Sequence, residues 1–577
     1  MQYIYNMAGG LLNLVAYGNQ NIILNGNPKK TFFKPVFAQY TNFGLQKFRL
    51  DFDGQRNLRL TEESRYTFKV KRYAELLMDT YLVINLPTIW SPVLPPLDCS
   101  GNWAPYEFRW IENLGTQMIK EIEVTVGGQI LQKYSGRYLL AMMQRDFTTT
   151  QKNLYDNMTG NVNELNDPAN SNGRVNQYPN AYYQDPDNAT NNYEKTLLAA
   201  GPEPSIRARK LYIPLNLWFG VNSKMAFPLV SLQYNELYIN VTLRPIQELI
   251  QIRDVGDPDN GWPLIRPNFN EPLQQFYRFL QPPPSVALTD DDYQDKRTNW
   301  NADVHLISTY CFLSTEEARV FAALEQNYLF KSVFESEFNN VTGSHRVDID
   351  NTAGMVASWM IFFQRTDISL RNEWSNYTNW PYNYLPYNLE EAPIEGTWTI
   401  DDACKENVIF VEGFGPGINP PEATSSGLYI TGPYRVENQK NILQSLAIIL
   451  DGAYRENLLD QGIYNYIEKY ITTNGNAPDG LYLYNFCLQT DPFMMQPSGA
   501  MNMSKFTTVQ LEFNTYVPPL DEQAQVLTIC EPSTGLPIGV NKPTWRLYDY
   551  TYNMVLLEER YNVVTFIGGN CALMYAR

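Results

Sequence analysis

Two stretches in opposite halves of the chain share one grammar. Ile119–Tyr134 reads IKEIEVTVGGQILQKY, and Leu446–Asn457 reads LAIILDGAYREN. Each is a β-branched apolar run, a turn containing glycine, and a second run. Glycine supplies the left-handed backbone that a tight hairpin turn needs, so both are predicted to be hairpins. Other pairs match in the same order. KLYIPLNLWF (Lys210–Phe219), a loop and LQYNELYINVTL (Leu232–Leu243) parallel GLYLYNFCLQ (Gly480–Gln489), a loop and FTTVQLEFNTYVP (Phe506–Pro518). ISTYCFL (Ile307–Leu313) has its counterpart in YNVVTFIGG (Tyr561–Gly569). Matches that keep their order predict two copies of one all-β domain.

The remaining strand signals agree. RYTFKVKRY sets Tyr66, Phe68 and Val70 against Thr67, Lys69 and Lys71, the period of a half-buried strand. LLMDTYLVINLP is a largely apolar run that stops at Pro87. Sustained helical periodicity is scarce. In LSTEEARVFAALEQ (Leu313–Gln326), Ser314 and Glu317 form a capping box, so a short helix is expected there. At 577 residues the chain exceeds what one core holds, about 250–300 residues. A boundary near residue 322 divides it. Three stretches read as long loops: 145–205, rich in Asn, Asp, Gly and Pro; 251–300; and 366–440, rich in aromatics and acids. Loops of such length inside compact domains usually carry function.

Charge excludes one class of function. A net charge of −17 repels nucleic acid, so generic duplex binding is not expected. The charge is uneven. Residues 1–50 have no Asp or Glu and five basic residues, Lys29, Lys30, Lys34, Lys47 and Arg49. Residues 371–430 have nine acidic residues against two basic ones. No signal peptide or long apolar run is evident, so a soluble intracellular product is expected.

Catalytic and metal chemistry is thin. Cys99, Cys311, Cys404, Cys487, Cys530 and Cys571 are far apart and read as buried thiols. With only His305 and His345, histidine-based zinc sites and triads are hard to build. The stretch GNPKKT lacks the G-x-x-x-x-G-K-[ST] of a phosphate loop, having Pro28 and Lys29 before Lys30. It reads instead as a turn leading into a strand with inward aromatics. Asp290, Asp291, Asp292 and Asp295 lack the spacing of a calcium loop and read as a solvated acidic stretch. N-x-[ST] sequons stand at Asn157, Asn188, Asn240, Asn340, Asn376 and Asn502; Asn157, Asn188 and Asn376 fall in expected loops and are the candidate glycosylation sites. Two competing functions remain open. Trp374, Trp380, Tyr382 and Tyr384 would form a stacking platform in a carbohydrate-binding sandwich, and a pair among the 61 acids would serve a glycosidase.

A set of blocks spread along the chain carries a family resemblance. MAGGLLNLVAYGNQNIILNGNPKKTFFKPVFAQYTNF from Met7, IEVTVGGQIL, FPLVSLQYNELYINVTL, STYCFLSTEEARVFA, GLYLYNFCL with QPSGAMNMSKF, and YNVVTFIGGNCALMYA occur in that order. Together they resemble the major capsid proteins of nucleocytoplasmic large DNA viruses, of the chlorella-virus and mimivirus type. Departures are residues 1–6 ahead of the family's usual start, a longer 145–205 loop, and a less acidic and Arg-poor STYCFLSTEEARVFA block.

The resemblance implies an all-β fold of two consecutive eight-stranded antiparallel jelly rolls with long inserted loops and a few short helices. It divides the chain into an N-terminal arm (1–30), a first roll (31–322, with insertions near 145–205 and 251–300) and a second (323–577, with an insertion near 366–440). It implies a structural subunit rather than an enzyme, with no cofactor or metal. The expected assembly is a homotrimeric, pseudo-hexagonal capsomer that tiles an icosahedral shell. The implied partners are neighbouring capsomers, minor capsid and penton proteins, and an internal membrane on the N-terminal side, without sequence-specific nucleic acid binding. Lys29, Lys30 and Lys34 are then the inner-face basic segment, and the acidic 366–440 loop faces outward or clasps a neighbour.

Overall fold

The computed structural model describes residues 9–54, 57–94, 104–174, 177–181, 204–257, 262–284, 293–350, 353–380, 389–391, 429–431, 440–518, 527–530, 537–541 and 549–575. Residues up to Phe43 form one unit and Gly44 onward another. In the first unit, short helices span Gly9–Val15 and Asn21–Asn25. Sequence reading placed a strand with inward aromatics after the Pro28 turn. The described chain has no strand before Phe43, and Phe32, Phe33, Phe37 and Tyr40 are exposed.

The second unit holds two sandwiches. The eight principal strands of the first are β1 (Phe43–Leu50), β2 (Ser64–Lys69), β3 (Leu76–Leu86), β4 (Ile119–Val126), β5 (Gln129–Tyr134), β6 (Arg209–Pro214), β7 (Leu237–Leu243) and β8 (His305–Leu313). Those of the second are β9 (Gln326–Val341), β10 (Ser344–Asp348), β11 (Met355–Arg365), β12 (Leu443–Leu450), β13 (Ala453–Asp460), β14 (Leu481–Asn485), β15 (Val509–Thr515) and β16 (Tyr552–Ile567). The first sandwich pairs its sheets in the orders β1-β8-β3-β6 and β2-β7-β4-β5. The second pairs β9-β16-β11-β14 and β10-β15-β12-β13. Adding eight to every strand number of one gives the other. Both are jelly rolls, and the duplication read from the sequence is a duplication of topology.

Local chemistry explains the strands. In β2, Ser64, Tyr66 and Phe68 are buried while Arg65 and Lys69 face solvent. In β15, Val509, Leu511 and Phe513 are buried in the same alternation. The β4–β5 hairpin turns on Gly127 and Gly128, with φ of 57° and 86°. The β12–β13 hairpin turns on Asp451 and Gly452, with φ of 47° and 81°. Positive φ at both central residues matches the right-handed twist of the flanking strands.

The expected helix is present at Thr315–Ala323, with the Ser314 side chain accepting from the Glu317 N–H. The 145–205 stretch differs from a plain loop: a helix spans Thr149–Thr159, held by a Thr148–Gln151 capping box. A further helix, Gly136–Asp146, follows β5 and is almost wholly buried. Its Gly136 is needed for close approach, because a Cβ there would lie 2.0 Å from the Thr116 carbonyl oxygen. Asn188, Asp290, Asp291, Asp292, Tyr382, Tyr384, Cys99 and Cys404 lie outside the described residues.

One sheet is buried on both faces. In β11, every residue after Met355 is buried. Trp359, Ile361 and Phe363 point into the second roll's own core. Met360 and Phe362 point the other way, with Leu481, Leu483, Val555, Leu557 and Phe566, into the core of the first roll. Phe566 meets Phe227 edge to face at 5.1 Å, and Phe330 lies 5.7 Å from Trp218. Each such side chain contributes about 1.5–3 kcal/mol on burial, so this shared face joins the rolls strongly.

Candidate functional site

The helix Gly136–Asp146 starts where the Ser135 hydroxyl accepts from the Tyr138 N–H. Helical spacing then puts Tyr138, Met142 and Arg145 on one face. That face carries two polar groups into the apolar seam between the rolls. Arg145 and Asp146 have fully buried side chains. Arg145 Nη2 donates to Glu559 Oε1 of β16 at 2.9 Å and to Asp146 Oδ2 at 2.7 Å. Its Nη1 donates to Ser358 Oγ of β11 at 3.1 Å. Glu559 also accepts from Tyr138 (2.8 Å), Ser358 (2.8 Å) and Lys331 Nζ (3.2 Å). Thr490 donates to the other oxygen of Asp146.

The cluster holds two cations and two carboxylates, and so is balanced. Burial alone pushes the Glu559 carboxyl up, but Arg145, Lys331 and the hydrogen bonds from Arg145 and Ser358 outweigh it and hold Glu559 well below the ordinary carboxylate range. For Arg145, burial lowers the pKa while Asp146 and Glu559 raise it further, so the guanidinium stays charged. Beside the cluster, Gly475 of the second roll donates its N–H to the Arg145 carbonyl at 2.8 Å. A Cβ there would lie 2.5 Å from that same oxygen. Backbone therefore meets backbone across the seam.

A second buried cluster pins the segment that follows β11. Arg365 pairs with Asp367 at 2.6 Å and lies over the Tyr550 ring at 3.6 Å. Arg371 pairs with Asp367 at 3.1 Å and with Glu373 at 2.7 Å. Asn372 Nδ2 then donates to the Gln247 and Ile250 carbonyls, and Trp374 Nε1 to the Glu248 carbonyl, all on the first roll. The root of the long acidic segment is thus tied to both rolls.

These clusters rigidify and contain no reacting constellation. Among the described residues, no group of three or more His, Cys, Asp or Glu is placed to hold a metal, and no helix is long and apolar enough to cross a membrane. Cys311, Cys487 and Cys571 are free and buried. Asp295 pairs with Arg297. The Trp374–Trp380 platform does not form: Trp380 is buried, and Arg244 covers the Trp374 ring at 4.7 Å. Asn157 is exposed, on a helix rather than a loop. The Asn376 amide is engaged, with Nδ2 donating to the Trp380 carbonyl at 2.8 Å and Oδ1 accepting from Thr378. Lys29, Lys30 and Lys34 are exposed. Sequence reading missed the seam cluster. Its only local signal is an Arg-Asp pair ending a run of apolar residues, and its partners lie in the other half of the chain.

Family models decide the relationship. The model for the major capsid protein N-terminus matches residues 31–259, and that for the large eukaryotic DNA virus major capsid protein matches residues 317–562. The chain belongs to the large eukaryotic DNA virus major capsid protein family. Within this family, the major capsid protein of Chrysochromulina ericina virus is 32% identical over 265 residues, 42% of each chain. The match thus spans under half the length of that relative. The major capsid protein of Paramecium bursaria Chlorella virus 1 is 24% identical over 580 residues, 99% of this chain and 100% of the relative. Among solved structures, VP54 of PBCV-1, fitted into a reconstruction of the virophage Sputnik, has a TM-score of 0.58 at 19% identity, covering 95% of this chain and 100% of VP54. The Faustovirus major capsid protein also has a TM-score of 0.58, at 11% identity, covering 96% of each chain. The likeness extends over both rolls and establishes the capsid-protein fold.

Proposed function

We propose that this chain is the structural subunit of the icosahedral shell of a large double-stranded DNA virus, acting as a homotrimer. The observation that carries the proposal is the repeat of one strand order in two rolls joined through a shared buried face. Three such chains around a threefold axis place six similar rolls in a ring, a pseudo-hexagonal capsomer that tiles a flat lattice. A rigid seam suits this role, because lattice contacts transmit load only if the two rolls keep one orientation. Family membership supports the shell role.

The proposed limits of the rolls are 31–322 and 323–577, after an arm of residues 1–30. The first 43 residues combine Lys29, Lys30 and Lys34 with exposed Phe32, Phe33 and Phe37 and no acidic residue. That chemistry supports docking on the inner side, to minor capsid proteins or an anionic membrane surface. The other partners are neighbouring capsomers and penton proteins. Assembly in the host cytoplasm completes the proposal.

Copy number tests the function. Quantitative mass spectrometry of purified particles is expected to find this chain as the most abundant protein. A trace amount, or its absence, would contradict the shell role.

A further inference from the structure

The two rolls share a topology but differ in how one helix is covered. After β5 of the first roll, the helix Gly136–Asp146 is buried, seated on the outer face of the second roll's β11 and β16. After β13, the same place in the second roll, the chain again turns helical. A π turn at Ile463–Ile467 runs into an α turn at Glu468–Thr472. Tyr464 and Asn465 face inward, but Tyr466, Ile467, Tyr470 and Ile471 are between 47% and 90% exposed. Residues four apart share one face of a helix, so these four form a single apolar stripe open to solvent.

The seat used by the first helix has a counterpart. On the outer face of its sheet, the second roll sets a hydroxyl–carboxylate pair, Ser358 and Glu559 at 2.8 Å, followed by the facing pairs Met360–Leu557 and Phe362–Val555. Subtracting eight from these strand numbers leads to β3 and β8 of the first roll. There Thr309 donates to Asp79 at 3.1 Å, and the facing pairs Tyr81–Ile307 and Val83–His305 follow, with Tyr212 of β6 opposite Val83. A shift of register stands beside the polar pair in both sheets. Leu82, Ile84, Leu211 and Ile213 point the other way, into the core, so the Tyr81 and Tyr212 side faces out. Tyr212 is 40% exposed, and Tyr81 and Ile307 are half-buried. One chain thus has an uncovered apolar helix at one end of the repeat and, at the other, the sheet face that seats such a helix.

We propose that the Ile463–Thr472 helix of one chain docks on the outer face of the β3–β8–β6 sheet of a second copy of this chain. The contact that joins the rolls within a chain is then repeated between chains. A step from first roll to second, and from second roll to the next first roll, is a head-to-tail contact that closes on itself when the rotation allows, here after three chains. The inference rests on the trimer proposed above and assigns its surfaces. The seat between chains is the more polar of the two, with Tyr81, His305 and Tyr212 standing where the seat within the chain has Met360, Val555 and Leu481. That difference suits a contact made between chains that have already folded.

The test is photo-cross-linking of the full-length protein with p-benzoylphenylalanine in place of Tyr470, read on a denaturing gel and by peptide mass spectrometry. A two-chain product joined to residues of β3, β6 or β8 is expected. Tyr470→Glu combined with Ile471→Glu places two carboxylates at exposed positions, and Tyr212→Glu does the same on the opposing face. Each variant is expected to shift the mass in light scattering from three chains to one, with the circular dichroism of the folded chain unchanged. A wild-type protein of single-chain mass would overturn the trimer and this inference with it. A wild-type trimer that survives both variants, or that cross-links only to other segments, would overturn this inference alone. Variants that stay trimeric but fail to enter particles would assign the helix to a neighbouring capsomer or another shell protein, and would overturn it as well.

Discussion

Arg145 and Glu559 form a buried ion pair across the seam between the two jelly rolls, with Nη2 and Oε1 2.9 Å apart and side-chain exposures of 0% and 1%. Over four hundred residues of sequence separate the partners, and each is carried by a different roll. Removing one partner strands the other charge in an apolar seam. Glu559→Gln is expected to destabilise the protein by about 3–5 kcal/mol, read from chemical denaturation. A double replacement, Arg145→Met with Glu559→Gln, should cost less than the two single changes summed, because the stranded charge is gone.

Acid should loosen the same seam. Glu559 and Asp367 are both held below the ordinary carboxylate range, despite burial, by the arginines beside them. The unfolded chain takes up their protons near pH 4, while the folded chain resists. The stability they confer is therefore complete above about pH 5 and is lost as the pH falls toward the folded values. Asp146 works in the opposite direction, since burial raises its carboxyl in spite of Arg145. The melting temperature is expected to hold level above about pH 5 and to fall from there to pH 3, and Glu559→Gln should flatten that decline.

Gly475 tests the backbone contact. Its added Cβ would meet the Arg145 and Gln144 carbonyl oxygens at 2.5 and 2.6 Å, and neither is the end of a flexible side chain. Gly475→Ala is expected to cost about 1–3 kcal/mol and to open the seam to limited proteolysis. Gly173→Ala, with open space around its Cβ, is a control for a glycine change away from the seam; its strain is confined to its own positive φ of 80°.

The sequons divide by accessibility. Asn157 is exposed, with only its Nδ2 held, donating to the Asn153 carbonyl at 2.9 Å, whereas Asn376 is half-buried with both ends of its amide hydrogen-bonded. Of these two sites, mass spectrometry of protein made in a glycosylating host should find glycan at Asn157 and none at Asn376. Asn376→Ala should destabilise the turn by about 1 kcal/mol.

The strands were legible because period-two patterning and glycine turns are local. Tyr66 and Phe68 alternate with Thr67 and Lys69, and Asp451-Gly452 repeats the geometry of Gly127-Gly128. The order of these signals was enough to expose the duplication. The helix Gly136–Asp146 was missed because its buried, nearly uniform surface shows no solvent face to mark its period. Phe32, Phe33 and Phe37 misled for the opposite reason: aromatic residues promise burial, yet here they stand exposed ahead of the first strand. The seam cluster is non-local. Nothing near Arg145 in sequence announces Ser358 or Glu559, so only the folded arrangement reveals the site.

On the proposed assembly, two rolls in one chain make one third of a capsomer. Size-exclusion chromatography with light scattering measures this directly. A particle of three chains, three times 66.5 kDa and stable on dilution, is expected. A single mass of 66.5 kDa at every protein and salt concentration would contradict it.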